Sequence, residues 1–210
     1  SDTPKDINVL GKIADAYLKW GKIDSARTYF NAILEQANNN PFLYTFISNL
    51  LIQNRMFEEA ITLLLEARRK LNNDDLFHYD LARLYGWHAK YKASADEYLK
   101  IIQNDPKSIQ IVEREFMSFP EDSSVVRQVL QAFDDIAVMD PDNTQILQLK
   151  ANYYLRHRMY GEAFQSFVKL DRQYNAEGKQ ILDFSRRVLQ SGNYETAADA
   201  YRYVIDNYPG

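Results

Sequence analysis

A three-residue pattern recurs along this chain at steps of 34 residues, with one step of 35. In its last copy, the small Ala197 follows Tyr194 by three positions and precedes Tyr201 by four. At 3.6 residues per turn, these side chains lie on one side of a helix. The earlier copies are Tyr160, Ala163 and Phe167; Val126, Val129 and Phe133; Tyr91, Ser94 and Tyr98; Phe57, Ala60 and Leu64; and Ile23, Ala26 and Phe30. A period of this length predicts stacked supersecondary units rather than one closed core.

Each period divides into two predicted helices joined by a short turn, the αα-hairpin. Small residues also recur in the first helices, at Ala14, Ser48, Ala82, Ala151 and Ser185, because paired helices that cross closely need small side chains there. A turn is predicted at 38–41, where Pro41 opens the next helix. The predicted helices run over approximately 6–20, 24–37, 41–54, 57–71, 75–87, 91–104, 125–139, 145–156, 160–174, 179–190 and 194–208.

The fourth unit departs from the pattern. Met117 stands where a small residue is expected, and Pro120 stands where a tyrosine is expected. Proline lacks the amide and clashes with the preceding turn, so the first helix of this unit should end early. Asp122 should then cap the next helix. We expect a shortened hairpin here, which either changes the curvature of the stack or opens the groove to a ligand.

These residues resemble the tetratricopeptide repeat family. The likeness rests on the small residue and tyrosine at Ala82 and Tyr85, on the turn Gly192-x-Tyr194, on Ala197 and Tyr201, and on the closing Pro209. The resemblance implies an all-α fold, a right-handed α-α superhelix (solenoid) of stacked helix-turn-helix repeats in a single domain over 1–210. Its repeats are 7–40, 41–74, 75–108, 109–143, 144–177 and 178–210, with the fourth atypical. The pentatricopeptide family, which reads single-stranded RNA, is the alternative, but the acidic balance and the Asp-Pro helix ends favour the first family.

Composition excludes several function classes. The 25 basic residues stand against 29 acidic ones, a net charge of -4, whereas a nucleic-acid binder would usually carry a basic stripe. We interpret the basic run 68–70 as a solvated helix end. With no cysteine and three scattered histidines, the sequence shows no metal site, and it contains no phosphate-binding loop or nucleophile elbow. We therefore expect no enzyme and no cofactor.

The compartment stays open. No apolar run approaches the roughly 20 residues of a membrane span, and the first residues lack the basic start and apolar core of a signal peptide. The ending VIDNYP resembles repeats of bacterial envelope proteins, and cytoplasmic repeats look similar. Both the cytoplasm and, if a signal was removed, the bacterial envelope or periplasm fit the sequence.

The resemblance implies that the first helices line a concave groove that binds a protein or peptide. One face carries Asp15, Asn49, Arg83, Ser118, Asn152 and Arg186 in phase, and four residues earlier stand Gly11, Thr45, Tyr79, Arg114, Gln148 and Leu182. Asparagine amides and arginine forks there can hold a peptide backbone and its carboxylates. The predicted partner-binding residues are Asn49, Tyr79, Arg83, Trp87, Arg114, Gln148, Asn152, Arg156 and Arg186.

Two features limit the kind of partner. The family's carboxylate clamp for peptide C-termini uses lysine and asparagine where this chain has Gly11 and Asp15, so we expect no chaperone-tail clamp in the first unit. The last unit keeps the apolar residues Ala197, Ala200, Tyr201 and Val204, although terminal repeats need a polar cap. We expect either a fragment of a longer repeat protein or a homodimer through this end. A structural, self-associating module is thus the alternative function, followed by single-stranded RNA binding.

Overall fold

The computed structural model describes residues 6–36 and 40–208 and contains twelve α-helices there, one 3₁₀ turn at Pro106–Ser108 and no strand. This confirms the predicted all-α fold of helix-turn-helix repeats. Part of the predicted turn at 38–41 and the closing Pro209 lie outside the described residues. The helices are α1 Ile7–Lys19, α2 Ile23–Glu35, α3 Pro41–Gln53, α4 Phe57–Leu71, α5 His78–Trp87, α6 Tyr91–Asn104, α7 Ile109–Met117, α8 Ser123–Met139, α9 Thr144–Arg156, α10 Tyr160–Tyr174, α11 Lys179–Gln190 and α12 Tyr194–Asn207.

Helix starts follow local capping chemistry. The side chains of Asp6, Asn40, Asp122 and Asn143 accept hydrogen bonds from backbone amides in the first turns of α1, α3, α8 and α9. Each of these bonds satisfies a donor that the helix itself leaves unpaired. Pro41 occupies the first turn of α3, where its missing amide costs nothing.

The chain divides into two compact units at Lys90 and Tyr91. In the first unit, α1 pairs with α2 and α3 with α4, and α5 packs on α4. In the second unit, α9 pairs with α10 and α11 with α12, while α8 packs chiefly on α6. That residues 1–210 form one domain stays a prediction.

The small residues of the repeat pattern lie at the helix crossings. Ala14, Ala26, Ala60, Ala163 and Ala197 are all buried in the apolar clusters of their units. The other small residues of the pattern are also buried, namely Ser48, Ala82, Ser94, Ala151 and Ser185. The 34-residue register predicted from the sequence is therefore the packing register of the helices.

The atypical fourth repeat has the predicted short first helix. α7 has nine residues and ends at Met117, three residues before Pro120. Its Phe116 packs against four rings, those of Tyr98, Phe119, Phe133 and Tyr153, with centroids 5.5 to 6.1 Å away. Aromatic packing thus fills the core of the second unit where the small residue is missing.

The turn inside a helix pair repeats a left-handed backbone conformation. Its φ is 76° at Gly21, 60° at Arg55, 55° at Ala89, 58° at Arg158 and 85° at Gly192. Glycine adopts this region freely, whereas a Cβ atom meets the following carbonyl oxygen. The turn geometry is therefore kept even where the glycine of the repeat pattern is replaced.

Replacing Ala89 by glycine should raise the free energy of unfolding by about 0.5 to 1 kcal/mol, because the strain at this Cβ is removed. Denaturant titration measures the change. The matched control is Ala137→Gly inside α8, which should lower stability by about 1 kcal/mol. Equal losses in both variants would show that the turn at Ala89 is not strained.

Two predictions fail around the start of α5. The helix begins at His78 rather than at 75, because Phe77 has a φ of 63° and cannot continue a right-handed helix. Arg68, expected to be solvated, is buried: its Nε donates to the carbonyl oxygen of Leu76 at 2.6 Å, and its Nη2 lies 2.9 Å from His78 Nδ1. Arg69 and Lys70 are exposed as predicted.

Candidate functional site

In the second unit, polar side chains form a hydrogen-bonded row across three helices, each of which is the first helix of its repeat. Asn152 on α9 donates through Nδ2 to Glu113 Oε1 on α7 at 3.1 Å. The Oδ1 of the same amide accepts a bond from Arg187 Nη1 on α11 at 3.0 Å. Because both ends of the Asn152 amide are engaged, its orientation is fixed, and the row joins three successive repeats.

A second arginine borders the same region. Arg156, one turn after Asn152, donates through Nη2 to the carbonyl oxygen of Met117 at 3.1 Å and to Glu121 Oε1 at 3.0 Å. Arg156 therefore bonds the carbonyl oxygen of the last residue of the short helix α7. Since Pro120 ends that helix early, the departure of the fourth repeat from the repeat pattern creates the contact between Arg156 and Met117.

These residues enclose a cavity of about 250 Å³. Glu113, Asn152, Arg156 and Arg187 supply polar groups, and two of them carry positive charge. The remaining lining is largely apolar and consists of Phe116, Met117, Leu149, Tyr153, Leu155, Tyr160 and Ser191. An apolar floor with a few converging polar groups is the usual make-up of a ligand pocket.

Burial shifts the pKa values of two ionisable groups beside this cavity. It raises the pKa of the Tyr153 hydroxyl to about 12, so this phenol stays protonated at neutral pH. Burial, with the nearby Arg156 charge, lowers the pKa of His157, whose ring lies 4.4 Å from that of Tyr153. Both groups are therefore neutral at pH 7, and the charge of the site comes from its arginines and glutamates.

The other predicted residues of the second unit lie outside the cavity lining. Arg114 and Arg186 are exposed on α7 and α11, and Gln148 is half-buried on α9. Arg186 Nη1 donates to Asp183 Oδ1 on its own helix at 2.8 Å. Of the predicted set, the structure thus brings together Asn152 and Arg156.

In the first unit, three predicted residues form a ladder on α5. The guanidinium of Arg83 lies 4.8 Å from the ring centroid of Trp87 and 5.7 Å from that of Tyr79. All three side chains are exposed. An arginine held between aromatic faces keeps its donors available to a partner while its orientation is restricted. The predicted Asn49 is exposed on α3.

The first repeat does not present the predicted face to solvent throughout. Gly11 is buried, and a Cβ built on it would lie 2.5 Å from Cζ of Phe46. Asp15 accepts bonds from Lys19 Nζ at 2.6 Å and from Asn54 Nδ2 at 2.8 Å, which lower the pKa of its carboxyl. Neighbouring helices therefore occupy the positions that a carboxylate clamp would use.

Three contacts between consecutive repeats are offset by about one turn from the repeat register. The pairs Asp15 and Asn54, Glu113 and Asn152, and Met117 and Arg156 are each 39 residues apart. In-phase comparison selected Arg186, whereas its neighbour Arg187, 35 residues after Asn152, is the one that reaches that amide. Glu113 was missed for this reason, and complementary polar residues at the 39-residue spacing are the signal that finds it. Glu121 and Arg187 were also missed, and each lies 35 residues from its partner, Arg156 or Asn152.

A family model described as tetratricopeptide repeat matches residues 177–210. That range is the sixth predicted repeat with one residue added, and the same small-residue register is buried through the preceding helix pairs. The chain therefore contains at least one tetratricopeptide repeat, at 177–210. Its twelve described helices correspond to about six repeats. No curated protein sequence matches the chain.

Several solved structures resemble this chain. A tetratricopeptide repeat protein from Parabacteroides merdae is 14% identical, with 97% of this chain and 80% of that chain covered and a TM-score of 0.40. PilW, a type IV pilus biogenesis factor, is 14% identical over 97% and 94%, with a TM-score of 0.39. Acl4, the assembly chaperone of RpL4, is 14% identical over 96% and 90%, with a TM-score of 0.38.

Within 6–36 and 40–208, no group of three or more histidine, cysteine, aspartate or glutamate side chains could hold a metal ion. No helix in the described part of the chain has the length and apolar character that crossing a membrane requires.

Proposed function

We propose that this chain is a non-enzymatic scaffold that binds a protein or peptide segment along its first helices. The observation that carries the proposal is the cavity of about 250 Å³ bordered by Glu113, Asn152 and Arg187. Tetratricopeptide repeats use extended surfaces of this kind for binding. A preformed cavity that joins three repeats gives such a surface a specific anchor point.

The cavity fits a partner that inserts one apolar side chain. Its floor contains Phe116, Leu149 and Leu155, which offer apolar contact, and its edge carries the arginines Arg156 and Arg187. Fully burying one large apolar side chain contributes about 1.5 to 3 kcal/mol. The edge arginines can then bond the carbonyl oxygens or a carboxylate of the residues beside that anchor.

The ladder Tyr79, Arg83 and Trp87 supports a second contact in the first unit. Aromatic residues and arginine are the types that dominate binding energy at protein interfaces. Asn49, Arg114, Gln148 and Arg186, which belong to neither the cavity nor the ladder, stay proposed contacts, because each has polar groups able to bond a peptide backbone.

Replacing Met117 by glutamate should weaken peptide binding to the cavity, because a charge is placed in its apolar lining. Met117 is 53% exposed, so the fold should be unaffected. The measurement uses peptides selected from a displayed random library against the wild-type chain, with affinity determined for each variant. We expect at least about a tenfold loss of affinity for Met117→Glu.

The matched control is Met139→Glu on α8, where the methionine is 69% exposed and does not line the cavity. This variant should bind the selected peptides as the wild type does. Equal binding by both variants, or no enriched peptide at all, would refute the cavity as the partner site.

A further inference from the structure

An apolar strip on α1 faces solvent in the first unit. It consists of Val9, Ile13, Ala16, Tyr17 and Trp20, with Lys12 at its edge. These positions recur at the spacing of one helix face. Trp20 is 71% exposed, and Lys22 Nζ lies 5.6 Å from its ring centroid. The adjacent face of α1, with Leu10, Ala14 and Leu18, is buried.

The corresponding strip one repeat later is packed. Leu43, Ile47 and Leu51 of α3 stand 34 residues after Val9, Ile13 and Tyr17, and all three are buried. Phe46 and Leu50 of the same strip close on Gly11 of the preceding repeat. This helix face is thus the one by which a repeat packs on the repeat before it, and α1 presents it open.

A second apolar strip lies on α12 in the other unit. Tyr194, Ala198, Tyr201 and Ile205 follow one helix face, and Tyr194 and Ile205 are each 71% exposed. The corresponding residues of the first repeat are Ile23, Arg27, Phe30 and Leu34, which line a common cavity with Ile47 and Leu51 of the second repeat. In the repeat register, the α12 strip is therefore the face that receives a following repeat.

The two strips also differ in charge. Lysines 12, 19 and 22 lie on or beside the α1 strip, and Lys19 is paired with Asp15. The exposed Glu195 and Asp206 flank the α12 strip, where Arg202 is paired with Asp199. The first strip is bordered by positive charge and the second by negative charge. Complementary borders favour contact between unlike strips over contact between like strips.

We propose that the α12 strip of one copy binds the α1 strip of a second copy, so that the chain associates head to tail. The contact reproduces the packing between consecutive repeats, with the sixth repeat of one copy before the first repeat of the next. It is a heterologous contact, which uses two different surfaces rather than one surface twice. A contact made chiefly by one helix from each copy is smaller than the roughly 800 Å² per partner of a standard interface, so association should depend on protein concentration.

The test is sedimentation equilibrium of the 210-residue chain over a wide concentration range, with two variants. Trp20→Glu places a negative charge in the α1 strip, and Ile205→Glu places one in the α12 strip. Because both side chains are exposed, the helical content of each variant should match the wild type. We expect the wild type to associate and each variant alone to stay monomeric, with a dissociation constant raised by about tenfold or more.

Mixing the two variants decides the orientation. Trp20→Glu keeps an intact α12 strip and Ile205→Glu keeps an intact α1 strip, so an equimolar mixture should form dimers through that one contact. The control Val138→Glu, which changes an exposed apolar residue on α8, should associate as the wild type does. Association of the mixture with both variants monomeric alone supports the proposal.

Several results would overturn it. Persisting dimers of Trp20→Glu alone would indicate a symmetric contact between α12 strips, and persisting dimers of Ile205→Glu alone would indicate one between α1 strips. Loss of association in Val138→Glu would place the contact elsewhere. A wild-type chain that stays monomeric throughout would mean that another protein, or further repeats, covers the strips.

Discussion

Replacing Phe116 by alanine is expected to lower the free energy of unfolding by about 3 to 5 kcal/mol, the usual cost of truncating a buried phenylalanine. The effect belongs at the upper end because the ring touches Tyr98, Phe119, Phe133 and Tyr153. These neighbours lie on different elements of the second unit, so they cannot fill the space left by the missing ring unless helices move. Denaturant titration followed by circular dichroism measures the loss.

The control for Phe116 is Phe42→Ala on α3. The Phe42 ring is exposed, and only its backbone amide bonds to Asn40 Oδ1, a contact that alanine keeps. Its loss of stability should stay within about 0.5 kcal/mol. A Phe116→Ala variant as stable as Phe42→Ala would mean that the aromatic cluster does not hold the atypical repeat together.

Replacing Arg68 by alanine is expected to cost about 2 to 3 kcal/mol, because hydrogen bonds from a buried charged group are lost. The carbonyl oxygen of Leu76 loses the hydrogen bond from Arg68 Nε, and the contact between Arg68 Nη2 and His78 Nδ1 is lost as well. Since these bonds hold the loop before α5, amide exchange should accelerate in this loop and in the first turn of the helix.

Arg69→Ala is the matched control for Arg68, because the two arginines are adjacent and the Arg69 side chain is 75% exposed. We expect a change of less than about 0.5 kcal/mol and unchanged exchange in the loop. If both variants lost the same stability, the buried position of Arg68 would have no energetic consequence.

The helix pattern was largely predictable from the sequence. Four helices, Phe57–Leu71, Tyr91–Asn104, Tyr160–Tyr174 and Lys179–Gln190, have the predicted bounds. They could be located because their starts repeat along the chain at nearly the same spacing. The start of α5 could not, because it is set by a contact of Arg68 with a loop eight residues further along the chain, which no local pattern records.

The candidate site was predictable in part. Asn152 and Arg156 follow from the repeat register, which assigns residues to a helix face. Arg187 did not, because adjacent residues on a helix point about 100° apart, and the register favoured Arg186. Which of the two reaches a neighbouring repeat depends on how the helices pack. Sequence periodicity therefore gives the side of a helix, and packing decides the individual contact.

The close approach of Gly11 and Phe46 has a consequence for engineering. A lysine placed at Gly11 to install a peptide-carboxylate clamp would bring its Cβ to 2.5 Å from Cζ of Phe46, so the neighbouring ring would have to move. A graft should therefore exchange both positions together, with a smaller residue at Phe46. In a consensus array built from this repeat, the glycine and the phenylalanine form one design unit, to be copied or redesigned as a pair.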